Sequence, residues 1–304
     1  MGDFDDNAGK EEEFYHKDTK ELKEKNAGPA EVNPVRIAIG AAIGLAVLPQ
    51  LMLALVIGLG GEDLPMLPLM GATQLLLMLV PTIMVARLQP IPPRELFRLR
   101  KPELIGFAFL VAGLLSIWPL LQTYLLVQEL YLLPTSLLEI PEQYERVLRD
   151  LFGSTGAIDI SLAIVIGALI PGVTEEFLFR GLVLRSLQER MRPAIAIALA
   201  ATLFAAVHLN PIHFIPLAAL GAFFGLLTVV TDSIYPAMAG HALFNAISIV
   251  GVVLHLDAGK SAAHSADDLL GLLPLAAISF VIFCWVVRWM LHYQRGRERL
   301  QAGS

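Results

Sequence analysis

The chain has 304 residues, 56% of them hydrophobic and 16% charged, with a mean hydropathy of +0.65. Average proteins carry about 25% charged residues, so too few polar side chains remain here to cover a globule in water, and a soluble enzyme is excluded. The net charge of −6 gathers at one end, where residues 1–33 hold 10 Asp/Glu against 5 Lys; the remainder has no dominant basic patch of the kind a nucleic-acid binder needs.

In chain order, residues 1–33 form a polar head, dense in Glu and Lys over Lys10–Lys25, that is expected to be solvated, disordered and cytoplasmic. It is acidic and lacks an early apolar stretch, so it does not read as a signal peptide. A membrane domain over 34–292 follows, with eight apolar segments: Val35–Leu59, Leu64–Val85, Leu104–Val127, Ile158 to beyond Leu184, Ala194–His208, Phe214–Val230, Ile234–Leu254 and Leu269–Leu291. Several are about 20 residues long, the length a helix needs to cross a bilayer core, and none alternates as a transmembrane β-strand would. The expected fold class is therefore all-α, a polytopic bundle of about eight transmembrane helices. Between the third and fourth segments, Ile140, Tyr144, Val147, Leu148 and Leu151 recur at helical spacing within Pro134–Phe152, which predicts an amphipathic helix lying at the membrane interface. Residues 293–304 make a short basic tail. The single cysteine, Cys284, excludes an internal disulfide and a Cys/His zinc module.

The basic residues set an orientation. The head with Arg36 carries six, Arg87–Lys101 five, Arg180–Arg192 four and the tail four; the alternate connections hold only Arg146, Arg149 and Lys260. The 22 basic residues thus divide 19 to 3, which predicts both termini in the cytoplasm.

Ionisable groups inside membrane spans cost about 2.5–3.5 kcal/mol each on insertion scales, so those present are candidate functional groups. The fourth segment holds Glu175 and Glu176 side by side, about 100° apart around a helix. Glu176 and Arg180 are spaced i,i+4 with the acid first, the favourable order for an ion pair, which leaves Glu175 as the freer carboxylate. The fifth segment ends with Phe204 and His208 one turn apart, and the seventh holds His241 and Asn245 at the same spacing. Glu175 and His208 are 33 residues apart with a turn near Met191–Pro193 between them, so a helical hairpin sets them at equal depth, about 24 Å from the turn. Pro171–Gly172 and Asn210–Pro211 are expected to break helices beside these polar groups, lining a cavity that opens to the cytoplasm. Gln74 and Gln122 read as interhelical hydrogen bonders, and Asp232 as a cap on the turn between the sixth and seventh segments.

Two chemistries suit the set. Glu175 and His208 can deprotonate a water while His241 and Asn245 donate to a developing oxyanion. Alternatively, Glu175, His208 and His241 can bind Zn²⁺ with a water in the open position. The sequence has no H-E-x-x-H, no rhomboid-type G-x-S-G, and no Y-D with G-x-G-D pair.

The stretches EEFLFR (175–180), FAAVH (204–208) and HALFN (241–245) resemble the motifs E-E-x-x-x-R, F-x-x-x-H and H-x-x-x-N of the CAAX prenyl protease 2 family, also called CPBP or Abi proteins. The resemblance covers roughly 158–255. It implies an eight-helix intramembrane endopeptidase with a cytoplasm-facing site, in which Glu175 and His208 activate water, His241 and Asn245 stabilise the oxyanion, and Glu176, Arg180 and Phe204 support them. Family members are described both as metalloproteases and as users of glutamate-activated water. Eukaryotic members trim prenylated C-termini; prokaryotic ones act in bacteriocin immunity or processing and on sensor kinases. The expected partners are membrane lipid and a peptide or protein substrate in or on the membrane, the expected location a prokaryotic cell membrane; the oligomeric state is not legible. Two rival readings are a non-proteolytic scaffold of the same fold that binds a membrane partner, and an ion-coupled transporter. The clustering of polar residues in the second half alone disfavours the transporter, whose halves commonly repeat.

Overall fold

The computed structural model describes residues 39–58, 65–134, 151, 156–256 and 265–302. The head and most of the stretch expected to form the interfacial amphipathic helix lie outside the described residues. Among those described there is no strand, and eight apolar helices follow one another: α1 (Ile39–Gly58), α2 (Met66–Arg87), α3 (Leu104–Leu132), α4 (Ala157–Gln188), α5 (Pro193–Val207), α6 (Phe214–Thr231), α7 (Tyr235–Leu256) and α8 (Ala266–Ala302). Six of them, α2, α3, α4, α6, α7 and α8, are long and apolar enough to cross a membrane by length and composition. The protein is an integral membrane protein. Helix α5 has 15 residues, a rise of about 22 Å, and so stops short of a full crossing.

Two large apolar clusters fill the interior, with a small third one of Ala163, Ala168 and Ile249 among the described residues. One gathers Met78 of α2, Leu178 and Leu182 of α4 and Ala196, Ala200 and Phe204 of α5. The other gathers Phe109 and Leu110 of α3, Phe223, Phe224 and Leu227 of α6 and Val286 and Met290 of α8. Helix α8 is peripheral: Leu270, Ile278, Phe280, Val281 and Trp285 are all exposed, a surface that only a lipid environment makes favourable.

Three helices carry four π-helical turns, at Gln74–Leu79 in α2, Gln128–Leu132 in α3, and Val165–Leu169 and Phe177–Val183 in α4. Two of them flank the Glu175–Glu176 pair. They correct one expectation: α4 runs unbroken through Pro171–Gly172. The wide turn at Val165–Leu169 takes the carbonyl that the Pro171 ring would strike out of the regular ladder, so the proline is accommodated without a break. The expected break at Asn210–Pro211 does occur. Leu209 adopts a φ of 51°, and the Asn210 side-chain oxygen accepts hydrogen bonds from the Ile212 and His213 N–H groups, both at 3.1 Å.

At one end of the bundle the connections with most basic residues meet. Asp232, at the C-terminus of α6 with a φ of 51°, holds Arg98 at 3.3 Å and Arg100 at 2.6 Å. Arg98 also donates to Gln188 at 2.6 Å, Ser233 donates to the Arg100 carbonyl, and Arg297 of α8 donates to the Val230 carbonyl. Asp232 therefore does more than cap a turn: it ties the α2–α3 connection to the α6–α7 turn. Burial, with a smaller contribution from Arg185, pushes the Arg98 guanidinium down to about 10. Residues 293–302, in the stretch read as a basic tail, are helical. They extend α8, docked by Tyr293 donating to Glu103 at 2.6 Å.

Candidate active site

Glu175 and Glu176 sit at the end of a regular stretch of α4, Ile170–Glu176, just before a π-helical turn. Their side chains leave in different directions and meet different partners. Glu176 is fully buried. Its Oε1 lies 2.9 Å from Arg180 Nη1 and 2.9 Å from His241 Nδ1. A carboxylate only accepts, so the His241 Nδ1 carries a proton and donates it. Arg180 is buried as well, donates to the Gly221 carbonyl at 3.3 Å, and lies over the Phe204 ring at 4.8 Å and the Phe224 ring at 5.8 Å. Phe204 belongs to the first apolar cluster and Phe224 to the second, so this charged pair lies between the two.

Glu175 is oriented the other way. Its Oε1 accepts from the Gln74 side chain at 3.2 Å. Its Oε2 is buried and has no hydrogen-bond partner among the described residues; His208 Nε2 lies 3.7 Å away and His241 Nε2 3.9 Å away. His208 Nδ1 is 2.7 Å from the Phe204 carbonyl, which only accepts, so the proton sits on Nδ1. A neutral His208 ring therefore turns an Nε2 lone pair toward Glu175. Two acceptors facing each other at 3.7 Å are spaced for a proton donor between them rather than for a direct bond.

Chain geometry explains the convergence. The α4–α5 hairpin turns at 189–192, close to the expected position, and brings Glu175 and His208 together from 33 positions apart. Helix α7 approaches α4 at Gly172: a Cβ there would stand 2.9 Å from the Ala242 backbone nitrogen and 2.9 Å from its Cβ. Only glycine allows that approach, and it seats His241, the neighbour of Ala242, against both carboxylates. The ring of Phe204 packs edge-on to His208 at 4.7 Å and to His241 at 5.7 Å, and Phe224 stacks on His241 at 5.9 Å. Both imidazoles are thus held by their faces as well as by their Nδ1 atoms.

Glu175, His208, His241 and Asn245 all line one cavity of about 740 Å³, together with apolar side chains such as Leu53, Met70, Trp118 and Leu121. Pro171, Asn210 and His213 also border it; burial pushes the His213 imidazole below its ordinary value. Of the residues singled out from the sequence, Glu175, His208, His241 and Asn245 share this cavity, and Glu176, Arg180 and Phe204 contact His241 or one another behind it. Sequence reasoning missed three contacts. The Glu176–His241 bond is hidden because the two residues lie 65 positions apart. Phe224 gave no signal among many phenylalanines. Gln74, read as a bland interhelical bonder, turns out to bond Glu175.

The donor types, one carboxylate and two imidazoles, are those a zinc ion uses. As placed, however, no three His, Cys, Asp or Glu side chains among the described residues are grouped to hold a metal ion. The Glu175–His208 and Glu175–His241 separations of 3.7 and 3.9 Å exceed the roughly 3.3 Å between donors that sit about 2.0–2.1 Å from a tetrahedral metal.

Fold and site define a helical membrane protein with a Glu/His/Arg cluster buried against an apolar cavity. Residues 157–247, a stretch that contains all three motifs, match the family model described as type II CAAX prenyl endopeptidase Rce1-like. The resemblance carried by the motifs is to that family, over less than a third of the chain. No curated relative and no solved structure matches the chain.

Proposed function

We propose that the protein is an intramembrane endopeptidase of the CAAX-protease type that hydrolyses a peptide bond of a membrane-associated substrate with water activated by Glu175 and His208. The observation that carries this reading is the pair of acceptors, Glu175 Oε2 and His208 Nε2, 3.7 Å apart at the wall of a largely apolar cavity. A water between them can donate to both and give up a proton as it attacks a carbonyl carbon, which is general-base catalysis. The apolar lining of the cavity suits a substrate segment drawn from the membrane.

The tetrahedral intermediate needs donors. The Asn245 amide supplies one without any change of charge. His241 supplies another from Nε2 only when its ring carries both protons, because Nδ1 is committed to Glu176. The Glu176 carboxylate accepts from that ring at Nδ1, and Arg180 fixes Glu176 in place. The proton taken from water then passes to the leaving amine. This assigns catalytic roles to Glu175, His208, His241 and Asn245 and positioning roles to Glu176, Arg180 and Phe204. The orientation that accompanies the reading, both termini and the cavity mouth in the cytoplasm, rests on the 19-to-3 division of basic residues.

The test is proteolysis of membrane-anchored peptides by purified protein in liposomes. Wild type cleaves, while Glu175→Ala and His208→Ala lose cleavage. Equal cleavage by wild type and both variants would sink the assignment. Full complementation in cells by variants that do not cleave would favour the scaffold reading.

A further inference from the structure

Helix α2 lies outside the stretch that matches the endopeptidase family, yet it places one polar side chain against the reacting group. Gln74 is buried, and the Gln74 amide nitrogen donates to Glu175 Oε1 at 3.2 Å. The Thr174 hydroxyl in turn donates to Gln74 Oε1 at 2.9 Å. A carboxylate only accepts, so the nitrogen must face Glu175 and the oxygen must face Thr174. The amide therefore has one orientation, clamped from both ends.

The backbone is shaped to deliver this amide. Gln74 is the first residue of a π-helical turn, and the N–H at that position is shared between the Gly71 and Met70 carbonyls. One turn earlier, a Cβ on Gly71 would stand 3.0 Å from Ile166 Cγ2 of α4. The small residue lets α2 approach α4 closely enough for the Gln74 side chain to reach Glu175.

The consequence lies in which oxygen is left over. With Oε1 taken by Gln74, only Oε2 remains to face His208 and His241. Without that bond the carboxylate can rotate about its last torsion and swap its oxygens, or turn out of line with His208. Burying an amide in an apolar helix is costly unless it is bonded, and Glu175 and Thr174, which bond this one, both lie at the site.

We infer that Gln74 is a positioning residue of the reaction, holding the Glu175 carboxylate so that Oε2 faces the two imidazoles, with Thr174 fixing the amide. The inference rests on the hydrolase reading above. It assigns to α2 a part in the chemistry that the three motifs do not contain.

The experiment measures kcat and KM for a membrane-anchored peptide in liposomes with the full chain. Gln74→Met keeps length and burial but cannot donate. It lowers kcat about 10-fold or more, the size of a lost hydrogen bond to a charged group, with KM within twofold. Thr174→Val and Thr174→Ser separate positioning from packing. Valine keeps the shape of Thr174 without its hydroxyl, whereas serine keeps the hydroxyl and leaves a small void. Positioning predicts that the serine variant turns over faster than the valine variant even where it melts at a lower temperature. A Gln74→Met kcat within twofold of wild type overturns the inference, as does a Thr174→Val enzyme that turns over as fast as Thr174→Ser. Glu175→Ala runs alongside: undiminished cleavage by that variant would refute the hydrolase reading itself, a result separate from either outcome at Gln74.

Discussion

Two ionic clusters in this molecule, one partly exposed and one buried, are built from the same kinds of side chain and end differently. At the end of the bundle, Asp232 spends both carboxylate oxygens on arginines, Oδ1 on Arg98 and Oδ2 on Arg100. In the middle, Glu176 holds both Arg180 and His241 through Oε1; among the described residues its Oε2 and Glu175 Oε2 both lack a hydrogen bond, but it is Glu175 that lines the cavity, with its Oε2 beside two imidazoles. The first cluster joins connections. The second joins two apolar clusters and leaves a reactive group over. A buried charge alone marks neither role; the unspent acceptor facing a cavity distinguishes the site.

That contrast can be broken experimentally. The largest effect is expected at Glu175→Ala: cleavage falls by about 10²–10⁴-fold, the span of general-base contributions, with a loss of stability of about 1–3 kcal/mol because the buried Gln74 amide loses its acceptor. Glu176→Gln is the opposite case. It leaves the fully buried Arg180 without its carboxylate, a loss of about 3–5 kcal/mol visible as a lowered melting temperature in detergent, with activity falling as His241 loses its anchor. Gly172→Val tests the close approach of α4 and α7. A side chain there meets the Ala242 backbone, and overpacking of about 1–3 kcal/mol should come with loss of cleavage as His241 is pushed away. Asp232→Ala sharpens the comparison from the other side. With Asp232 about a third exposed, the loss is about 1–3 kcal/mol rather than the full buried-pair value, and kcat/KM per folded molecule stays within threefold. The smallest effect is expected from metal removal: chelation leaves cleavage within twofold, and elemental analysis finds zinc well below one per chain. Stoichiometric zinc lost on His241→Ala would reverse that reading.

The sequence already showed most of what matters at the site. Charges are so expensive in apolar helices that Glu175, Glu176, Arg180, His208 and His241 stand out without a structure, and i,i+4 spacing exposes the Glu176–Arg180 pair. The eight helices were legible for the same reason, within a few residues at most ends. What escaped depends on contacts between distant helices or on backbone detail. A glutamine in a hydrophobic helix gives no sign of whether it faces Glu175 or an inert carbonyl. Pro171–Gly172 reads as a break, because the pattern of side chains does not record the widened turn that absorbs the proline. The charged end of α8 reads as a basic tail, and the pattern of side chains does not show that Tyr293 bonds Glu103 and Arg297 the Val230 carbonyl.

The central claim is that Glu175 and His208 activate water for direct attack on a peptide bond. Cleavage of a membrane-anchored peptide by the purified protein in H₂¹⁸O, read by mass spectrometry, tests it most directly. The account predicts one ¹⁸O in the new C-terminal carboxylate from wild type and no product from Glu175→Ala. Intact peptide with wild type, or labelled product in equal yield from Glu175→Ala, would contradict it.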